Sequence, residues 1–143
     1  MSETSSVSLN QLLAYTFKVK ATDLHIAVGT APMVRLNSRL EFVEGAETLT
    51  PADTDLIVAS CVSGVKREAL DRDGEIDFSF SRPGLGRFRA NIYKQRGSYS
   101  VAIRSLPFEI PTFDSLGIPP SVRPLTNRKS GLVLATGSTG SGK

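Results

Sequence analysis

The sequence has few of the residues that form metal sites or disulfides: its 143 residues include one cysteine, one histidine and no tryptophan. A single cysteine cannot form an internal disulfide, which is typical of a reducing compartment. Cys61 stands in an apolar run, and we expect it to be a small buried residue. His25 has no cysteine close by in the sequence, and a single histidine does not supply enough ligands for a metal site. We therefore predict no metal ligands and a structural role for His25.

Long apolar runs are also missing. A membrane-spanning helix needs about 18 to 20 consecutive apolar residues, and no run in this sequence approaches that length. The first six residues are polar and lack the charged-then-apolar pattern of a signal peptide. With 40% hydrophobic and 22% charged residues, the composition is ordinary for a globular domain. We expect a cytoplasmic protein.

The net charge of +3 conceals an uneven distribution. Residues 1–81 carry 7 basic and 12 acidic side chains, whereas residues 82–129 carry 9 basic and 2 acidic ones. The basic part of the chain is suited to an anionic ligand or to an acidic neighbouring surface. Phosphate, nucleic acid and a partner subunit are all compatible with this charge.

Three helices are predicted in the first half of the chain. Ser8 is a suitable cap for a helix with one apolar face, and Thr50 precedes a proline and an acid in the order that favours a helix start. That second helix should end near residue 62, and a third, over 65–73, should stop at Gly74. The apolar face of the first helix consists of Leu9, Leu12, Leu13 and Phe17.

Strands are indicated by apolar residues that alternate with polar ones. Short strands are predicted over 23–27, 33–36 and 40–43, with a turn at Asn37-Ser38. Three longer strands, separated by turns at residues 83–84 and 96–97, follow between residues 75 and 104. Each has one apolar face, as in an antiparallel sheet. This order of elements predicts an α+β fold.

Prolines divide the chain after the last of these strands. Residues 106–130 contain five of the eight prolines and are interpreted as an interdomain linker with short helical turns. Residues 132–135 are apolar on both faces, which is typical of a buried parallel strand. We therefore divide the chain into an N-terminal domain over 1–105, a linker over 106–130 and the start of a second domain over 131–143.

The last seven residues carry the clearest chemical motif. They fit the P-loop pattern G-x-x-x-x-G-K, in which backbone N–H groups surround phosphate oxygens and a lysine adds positive charge. The predicted strand just before the motif is where a P-loop belongs. The alternative is a flexible tail rich in glycine and serine. The candidate nucleotide-binding residues are Gly137, Ser138, Thr139, Gly140, Ser141, Gly142 and Lys143.

The motif stops before the serine or threonine that would ligate Mg²⁺ and before the helix whose N-terminus would stabilise the phosphates. We therefore expect this chain alone to bind no ATP tightly and to be inactive, and we interpret it as part of a longer enzyme that uses ATP and Mg²⁺.

The order and spacing of several stretches resemble the twitching-motility (retraction) ATPases of type IV pili, within the secretion and pilus-assembly P-loop ATPases. The resemblance runs from about residue 8 to residue 143. Two positions depart from the family pattern: Ser38 stands where a glycine is usual, and Ser138 where a proline is usual. The matching stretches are residues 21–26, 31–36, 77–80, 86–91, 103–107 and 131–137.

The resemblance implies a PAS-like N-terminal domain joined to a RecA-like motor domain, whose first strand and truncated P-loop end this chain. It further implies a homohexameric ring, ATP between the two domains of one chain, and contact with the inner-membrane platform proteins of the pilus. The protein would then be peripheral at the inner membrane. Residues 1–136 leave room for one domain before the P-loop, which favours the retraction branch because pilus-extension and type II secretion relatives usually carry an extra domain first.

Arginines of the N-terminal domain are the candidate catalytic residues. Arg87 and Arg89 share the polar face of one predicted strand and Arg104 lies on the polar face of the next, so pairing of those strands would create one positive patch. Arg96, in the turn between them, would also reach a nucleotide cleft. The resemblance implies that such arginines neutralise developing phosphate charge. The alternative is a solvated strand face with protective charges.

Two other functions remain open from the sequence. Tyr93 and Tyr99 lie near the basic residues, which is a feature of single-strand nucleic-acid binding, but the P-loop and the acidic first half argue against it, and no nucleic-acid partner is predicted. A non-enzymatic module for interaction or oligomerisation is the second alternative. Within the same class, a pilus-extension or type II secretion ATPase is the closest rival.

Overall fold

The computed structural model describes residues 8–106 and 110–138 and divides the chain into two units, Met1–Phe108 and Glu109–Lys143. Within the described residues, no helix is long and apolar enough to cross a membrane. The first unit contains three helices and six strands, each close to its predicted bounds. The helices are α1 (Leu9–Lys18), α2 (Pro51–Cys61) and α3 (Val65–Asp73), and the strands are β1 (Asp23–Ile26), β2 (Met33–Leu36), β3 (Arg39–Phe42), β4 (Glu75–Arg82), β5 (Gly86–Gln95) and β6 (Ser98–Leu106).

The helix ends are set by the predicted caps. Ser8 and Gln11 form a reciprocal capping box at the start of α1, and Thr50 and Asp53 form another at the start of α2. Helix α3 ends at Gly74, whose φ of 81° lies in the left-handed region that glycine occupies at little cost. Side-chain caps therefore fix the starts of α1 and α2, and a glycine fixes the end of α3.

The six strands form one antiparallel sheet in the order β3-β2-β1-β6-β5-β4. The three longest strands pair as consecutive hairpins, as predicted. Strand β1 pairs with β6, so a segment near residue 24 lies beside one near residue 103. This pairing joins the two halves of the sheet and places β1 next to the arginine-bearing hairpin.

The helices contact one face of the sheet, here called the inner face, through the contacts of α1 with β1, α2 with β6 and α3 with β4. The other, outer face carries polar and charged side chains on β4, β5 and β1, and on β3 it carries two exposed apolar ones, Leu40 and Phe42. The buried residues of α1 are Leu9, Leu12, Leu13 and Thr16. Phe17, which was predicted to lie on the apolar face of this helix, is instead 51% exposed. Thr16 tolerates burial because its hydroxyl donates to the Leu12 carbonyl at 2.7 Å. The fully buried residues of the sheet include Leu24, Val34, Phe88, Ala90 and Ile92.

The second unit contains a 3-10 helix, Pro120–Asn127, and turns before it. The strand predicted over 132–135 is not formed: Leu132, Val133 and Leu134 are exposed and have no strand pairing. A strand needs a neighbour that accepts its backbone hydrogen bonds, and none of residues 110–138 forms one.

Candidate functional site: the arginine face of the sheet

Three of the four predicted arginines lie together on the outer face of the sheet. Along β5, Phe88 and Ala90 point into the core, so Arg87 and Arg89 between them point outward. On β6, Arg104 lies directly opposite Arg89 in the strand register. We call these three arginines, with the aspartates that pair with them, the arginine face.

Two aspartates pair with two of the arginines. Asp77 on β4 accepts from Arg89 through both carboxylate oxygens, at 2.9 Å from Nε and 3.1 Å from Nη2. Asp23 on β1 accepts from Arg104 Nε at 3.1 Å. Asp23 also lies 3.5 Å from Nε of Arg35 on β2. On this face the two arginines therefore lie side by side with an aspartate on either side of them, and the face is not the uniformly positive patch that the strand pattern alone predicted.

Asp23 is the more enclosed of the two aspartates, with a side chain 14% exposed against 45% for Asp77. Burial by itself raises the pKa of the Asp23 carboxyl, but hydrogen bonds from Thr22 and Arg104 outweigh that effect and leave the pKa below its ordinary value. The carboxylate is therefore charged at neutral pH and remains a firm acceptor for its arginines.

The other two predicted arginines differ in their surroundings. Arg87 is exposed and makes no ion pair within the described parts of the chain, so its guanidinium can accept an anionic ligand without giving up a partner. Arg96 lies in the β5–β6 turn with a φ of 51°, seven positions along the chain from Arg89 and at the other end of the hairpin from Arg104. Arg96 lines a different surface depression, beside Tyr99 and Ser100. The structure therefore groups three of the predicted arginines and separates the fourth.

A shallow depression of about 240 Å³ lies in the middle of the arginine face. Asp23, Asp77, Arg89, Asn91 and Arg104 line it together with His25, Ala102 and Ile103. Burial lowers the pKa of His25, and the negative charge of Asp23 offsets only part of that effect. Because the pKa lies below its ordinary value, the imidazole is neutral at pH 7. His25 Nε2 is buried and has no hydrogen-bond partner among the described residues. The structural role expected for His25 therefore stays a prediction.

The P-loop is only partly described. Gly137 and Ser138 are exposed, and the other five candidate nucleotide-binding residues lie outside the described residues. The phosphate-binding geometry of this segment therefore stays a prediction. The residues concerned are Thr139, Gly140, Ser141, Gly142 and Lys143.

The donor chemistry of the arginine face fits phosphate better than it fits a metal ion. Guanidinium groups offer planar N–H donors that match phosphate oxygens. In residues 8–106 and 110–138, no group of three or more His, Cys, Asp or Glu side chains is arranged to hold a metal ion. The face therefore offers donors suited to phosphate oxygens and, among the described residues, no cluster suited to a metal ion.

The two aspartates of the arginine face were not predicted from the sequence. Asp77 lies on the polar side of β4, as Arg89 does on β5, so both point to the outer face. The alternation of apolar and polar residues in the sequence could therefore have predicted this pair. Asp23 has a local partner, since it accepts from the Thr22 hydroxyl at 2.8 Å. Its pairing with Arg104 depends on the contact between β1 and β6, across 81 positions of the chain.

Comparison of the sequence with known proteins finds relatives among the type IV pilus ATPases. No protein-family profile matches the chain. It is 31% identical over 137 residues to the type IV pilus retraction ATPase PilT of Pseudomonas aeruginosa, covering 96% of this chain and 40% of that protein. It is 30% identical over 137 residues to the type IV pilus ATPase PilU of the same organism, covering 36% of that protein.

A solved structure gives the same result. The crystal structure of the pilus retraction motor PilT with bound ADP matches with a TM-score of 0.80 and 40% identity, over 96% of this chain and 40% of that one. The fold, one antiparallel six-stranded sheet with helices on one face, is of the α+β, PAS-like class that the resemblance implied. More narrowly, the chain is a homologue of the PilT-like twitching-motility ATPases and corresponds to their N-terminal domain, as its motifs predicted. It spans about two fifths of the length of the relatives it matches.

Proposed function

We propose that this chain is the N-terminal domain of a hexameric, ATP-hydrolysing motor that powers type IV pilus retraction. The observation that carries the proposal is the 31% identity to a pilus retraction ATPase over 96% of the chain. The P-loop sequence at residues 137–143 supports it, because that motif binds the phosphates of a nucleotide.

In this proposal the two parts of the chain have different tasks. Lys143 and the backbone N–H groups of the P-loop hold the phosphates of ATP, and Mg²⁺ is bound by motor-domain residues beyond this sequence. Arg87, Arg89, Arg104 and Arg96 are the candidates that neutralise phosphate charge as it develops. Charge supplied at this stage accelerates phosphoryl transfer because catalysis of this reaction consists largely of positioning and electrostatic stabilisation.

Ion pairs already present on the face do not prevent this role. The side chains of Arg89 and Arg104 are 63% and 68% exposed, so a phosphate can reach both guanidinium groups while their aspartates are in place. Arg87 makes no ion pair among the described residues.

The proposed partners follow from the same relationship. They are the neighbouring subunits of a homohexameric ring and the inner-membrane platform proteins of the pilus, which places the protein in the cytoplasm and peripheral at the inner membrane. No nucleic acid is included, because the P-loop motif and the acidic first half of the chain argue against one.

A second candidate within the class is another type IV pilus ATPase role, such as extension, or a type II secretion ATPase. The 30% identity to PilU supports keeping this alternative, since that relative is named as a pilus ATPase without a direction of movement. A non-enzymatic interaction module is the third possibility, and the isolated chain, which we propose is inactive, would behave as one.

The experiment that tests the proposal is steady-state ATP turnover by the full-length protein and its Lys143→Ala and Arg104→Ala variants. We expect both changes to lower kcat by at least tenfold, with nucleotide affinity reduced mainly by Lys143→Ala. Arg39→Ala is the matched control, because Arg39 is exposed on β3 and has no ion pair among the described residues.

Each outcome has a separate meaning. Normal turnover by Lys143→Ala would reject the ATPase. Loss with Lys143→Ala and normal turnover with Arg104→Ala would keep the ATPase and remove Arg104 from the chemistry. Retraction itself is then tested by complementing a strain that lacks its own retraction ATPase and scoring twitching. Active ATPase without twitching would favour the extension or secretion alternative.

A further inference from the structure

The arginines of the face are held in different ways. Arg89 uses Nε and Nη2 together to bind both oxygens of Asp77, so the fork of its guanidinium faces a carboxylate already. Arg104 donates only Nε to Asp23. Its two terminal nitrogens make no hydrogen bond within the described residues, and they remain available for a planar, two-oxygen acceptor such as a phosphate.

Asp23 is itself held firmly in place. The Thr22 hydroxyl donates to one of its carboxylate oxygens at 2.8 Å, and Arg35 on β2 approaches the same oxygen to 3.5 Å. Arg104 binds the other oxygen. Because β1 lies between β2 and β6, the carboxylate joins three adjacent strands at one level of the sheet.

Without Asp23, Arg104 would lose this orientation. Its side chain is 68% exposed, and a long exposed side chain samples many rotamers. It also faces Arg89 directly across the β5–β6 register, where two like charges repel. An unpaired Arg104 would therefore swing away from the centre of the face.

We propose that Asp23 is a positioning residue that aims the terminal nitrogens of Arg104 at the phosphates of the nucleotide. This inference rests on the proposed function. It singles out Arg104 as the arginine that is oriented in advance for phosphate, whereas Arg89 is held by Asp77 as part of the frame of the sheet. Asp23 touches no substrate and acts through Arg104.

The test is a double-mutant cycle on the full-length protein, with kcat and KM for ATP measured for Asp23→Ala, Arg104→Ala and the double variant. We expect Asp23→Ala to lower kcat about tenfold with KM changed less than about twofold, the pattern of an interaction made in the transition state. We expect the double variant to be no slower than Arg104→Ala alone, because Asp23 has no effect once Arg104 is absent.

Two further variants separate positioning from general stability. Asp23→Asn keeps an oxygen acceptor for Arg104 Nε and should recover at least half of the lost kcat. Asp73→Ala is the matched control, since it also removes an aspartate paired with an arginine, Arg72, but on helix α3. Its kcat should equal that of the unaltered protein. Far-UV circular dichroism and a thermal melt of each variant establish that it is folded at the assay temperature.

The opposing results are equally specific. Unchanged kcat in a folded Asp23→Ala variant overturns the inference, as does a double variant that is slower than Arg104→Ala by the full Asp23→Ala factor. Either result leaves the proposed function intact if Lys143→Ala still abolishes turnover. Normal turnover by Lys143→Ala would instead remove the proposed function on which the inference rests.

Discussion

Arg89 and Arg104 lie directly opposite each other on neighbouring strands, and each donates to a different aspartate. Two like charges in this position would ordinarily destabilise the strand pair. Asp77 and Asp23 approach from the two flanking strands and place a negative charge beside each arginine. The four side chains therefore form a connected row across β4, β5, β6 and β1, and the stability of the sheet depends on its charges.

The enclosed aspartate of this row should matter most for stability. We predict that Asp23→Ala lowers the free energy of unfolding by about 1–3 kcal/mol at pH 7, since it removes hydrogen bonds to charged groups and leaves Arg35 and Arg104 without their carboxylate. Asp77→Ala should lower the free energy of unfolding clearly less, because the ion pair between Asp77 and Arg89 is more exposed. Urea unfolding of residues 1–143 measures both, and equal losses would contradict the assigned difference in burial.

The contribution of the Asp23 carboxylate to stability should also depend on pH. The pKa of Asp23 in the folded protein lies below its ordinary value, so the unfolded chain binds the proton more readily. Its contribution to stability is therefore present above about pH 4 and is lost as the pH falls through the lowered pKa of the folded state. We predict that the gap in unfolding free energy between the unaltered chain and Asp23→Ala narrows below about pH 4. A gap that stays constant between pH 7 and pH 3 would refute this.

The turn between β2 and β3 contains an unfavourable residue. Asn37 and Ser38 have φ values of 47° and 68°, in the left-handed region, which asparagine tolerates better than serine. We predict that Ser38→Gly stabilises the chain by up to about 1 kcal/mol, reduced by the greater freedom of glycine in the unfolded state. The thermal midpoint is the readout.

Gly97 provides the opposite control for that prediction. It occupies the equivalent position of the β5–β6 turn with a φ of 82°, and Gly97→Ala should lower the thermal midpoint. If Ser38→Gly also lowered the midpoint, the strain assigned to Ser38 would be wrong.

Local features of the fold could be predicted from the sequence because they depend on neighbouring residues. The capping box at Thr50 and the stop at Gly74 are examples, and both were confirmed. The contact between β1 and β6 could not be predicted from the pattern, since alternation shows which face a residue occupies but not which strand lies beside it. For that reason the three arginines were placed on one face correctly, while the pairing of Asp23 with Arg104 was missed.

The remaining part of the chain shows a similar limit. The apolar run at residues 132–135 has the composition of a buried parallel strand, yet it forms no strand among the described residues. The apolar composition of a segment indicates that it is suited to a buried position. A strand forms, however, only where a neighbouring strand pairs with its backbone. The division into domain, linker and motor-domain start therefore stays a prediction, although a unit boundary at residues 108 and 109 lies near the predicted one.

Cys61 is only partly buried but packs against the core, and burial raises the pKa of its thiol to about 11. Because the thiolate is the reactive form, only about one thiol in a thousand is ionised at pH 8. We predict that Ellman's reagent reacts with the folded chain at least a hundredfold more slowly than with the chain in urea, where the pKa returns to about 8.5. Equal rates would show that the thiol is accessible and ionised.

Tyr99 connects the sheet to helix α3 through its hydroxyl group. The hydroxyl donates to Asp71 at 2.7 Å and accepts from Arg67 at 3.1 Å, and the ring is almost fully buried. Tyr99→Phe keeps the apolar packing of the ring and removes only this hydroxyl. We predict a loss of about 1 kcal/mol in the free energy of unfolding, measured with urea.

Tyr93 offers the matched control for that change, because it lies on the neighbouring strand with its side chain partly exposed on the outer face and makes no hydrogen bond through its hydroxyl in the described residues. Tyr93→Phe should leave the urea midpoint unchanged. Equal effects of the two substitutions would indicate that the hydroxyl of Tyr99 contributes no more than an ordinary solvated one. A loss confined to Tyr99→Phe would establish that this hydrogen-bonded contact holds α3 against the inner face of the sheet.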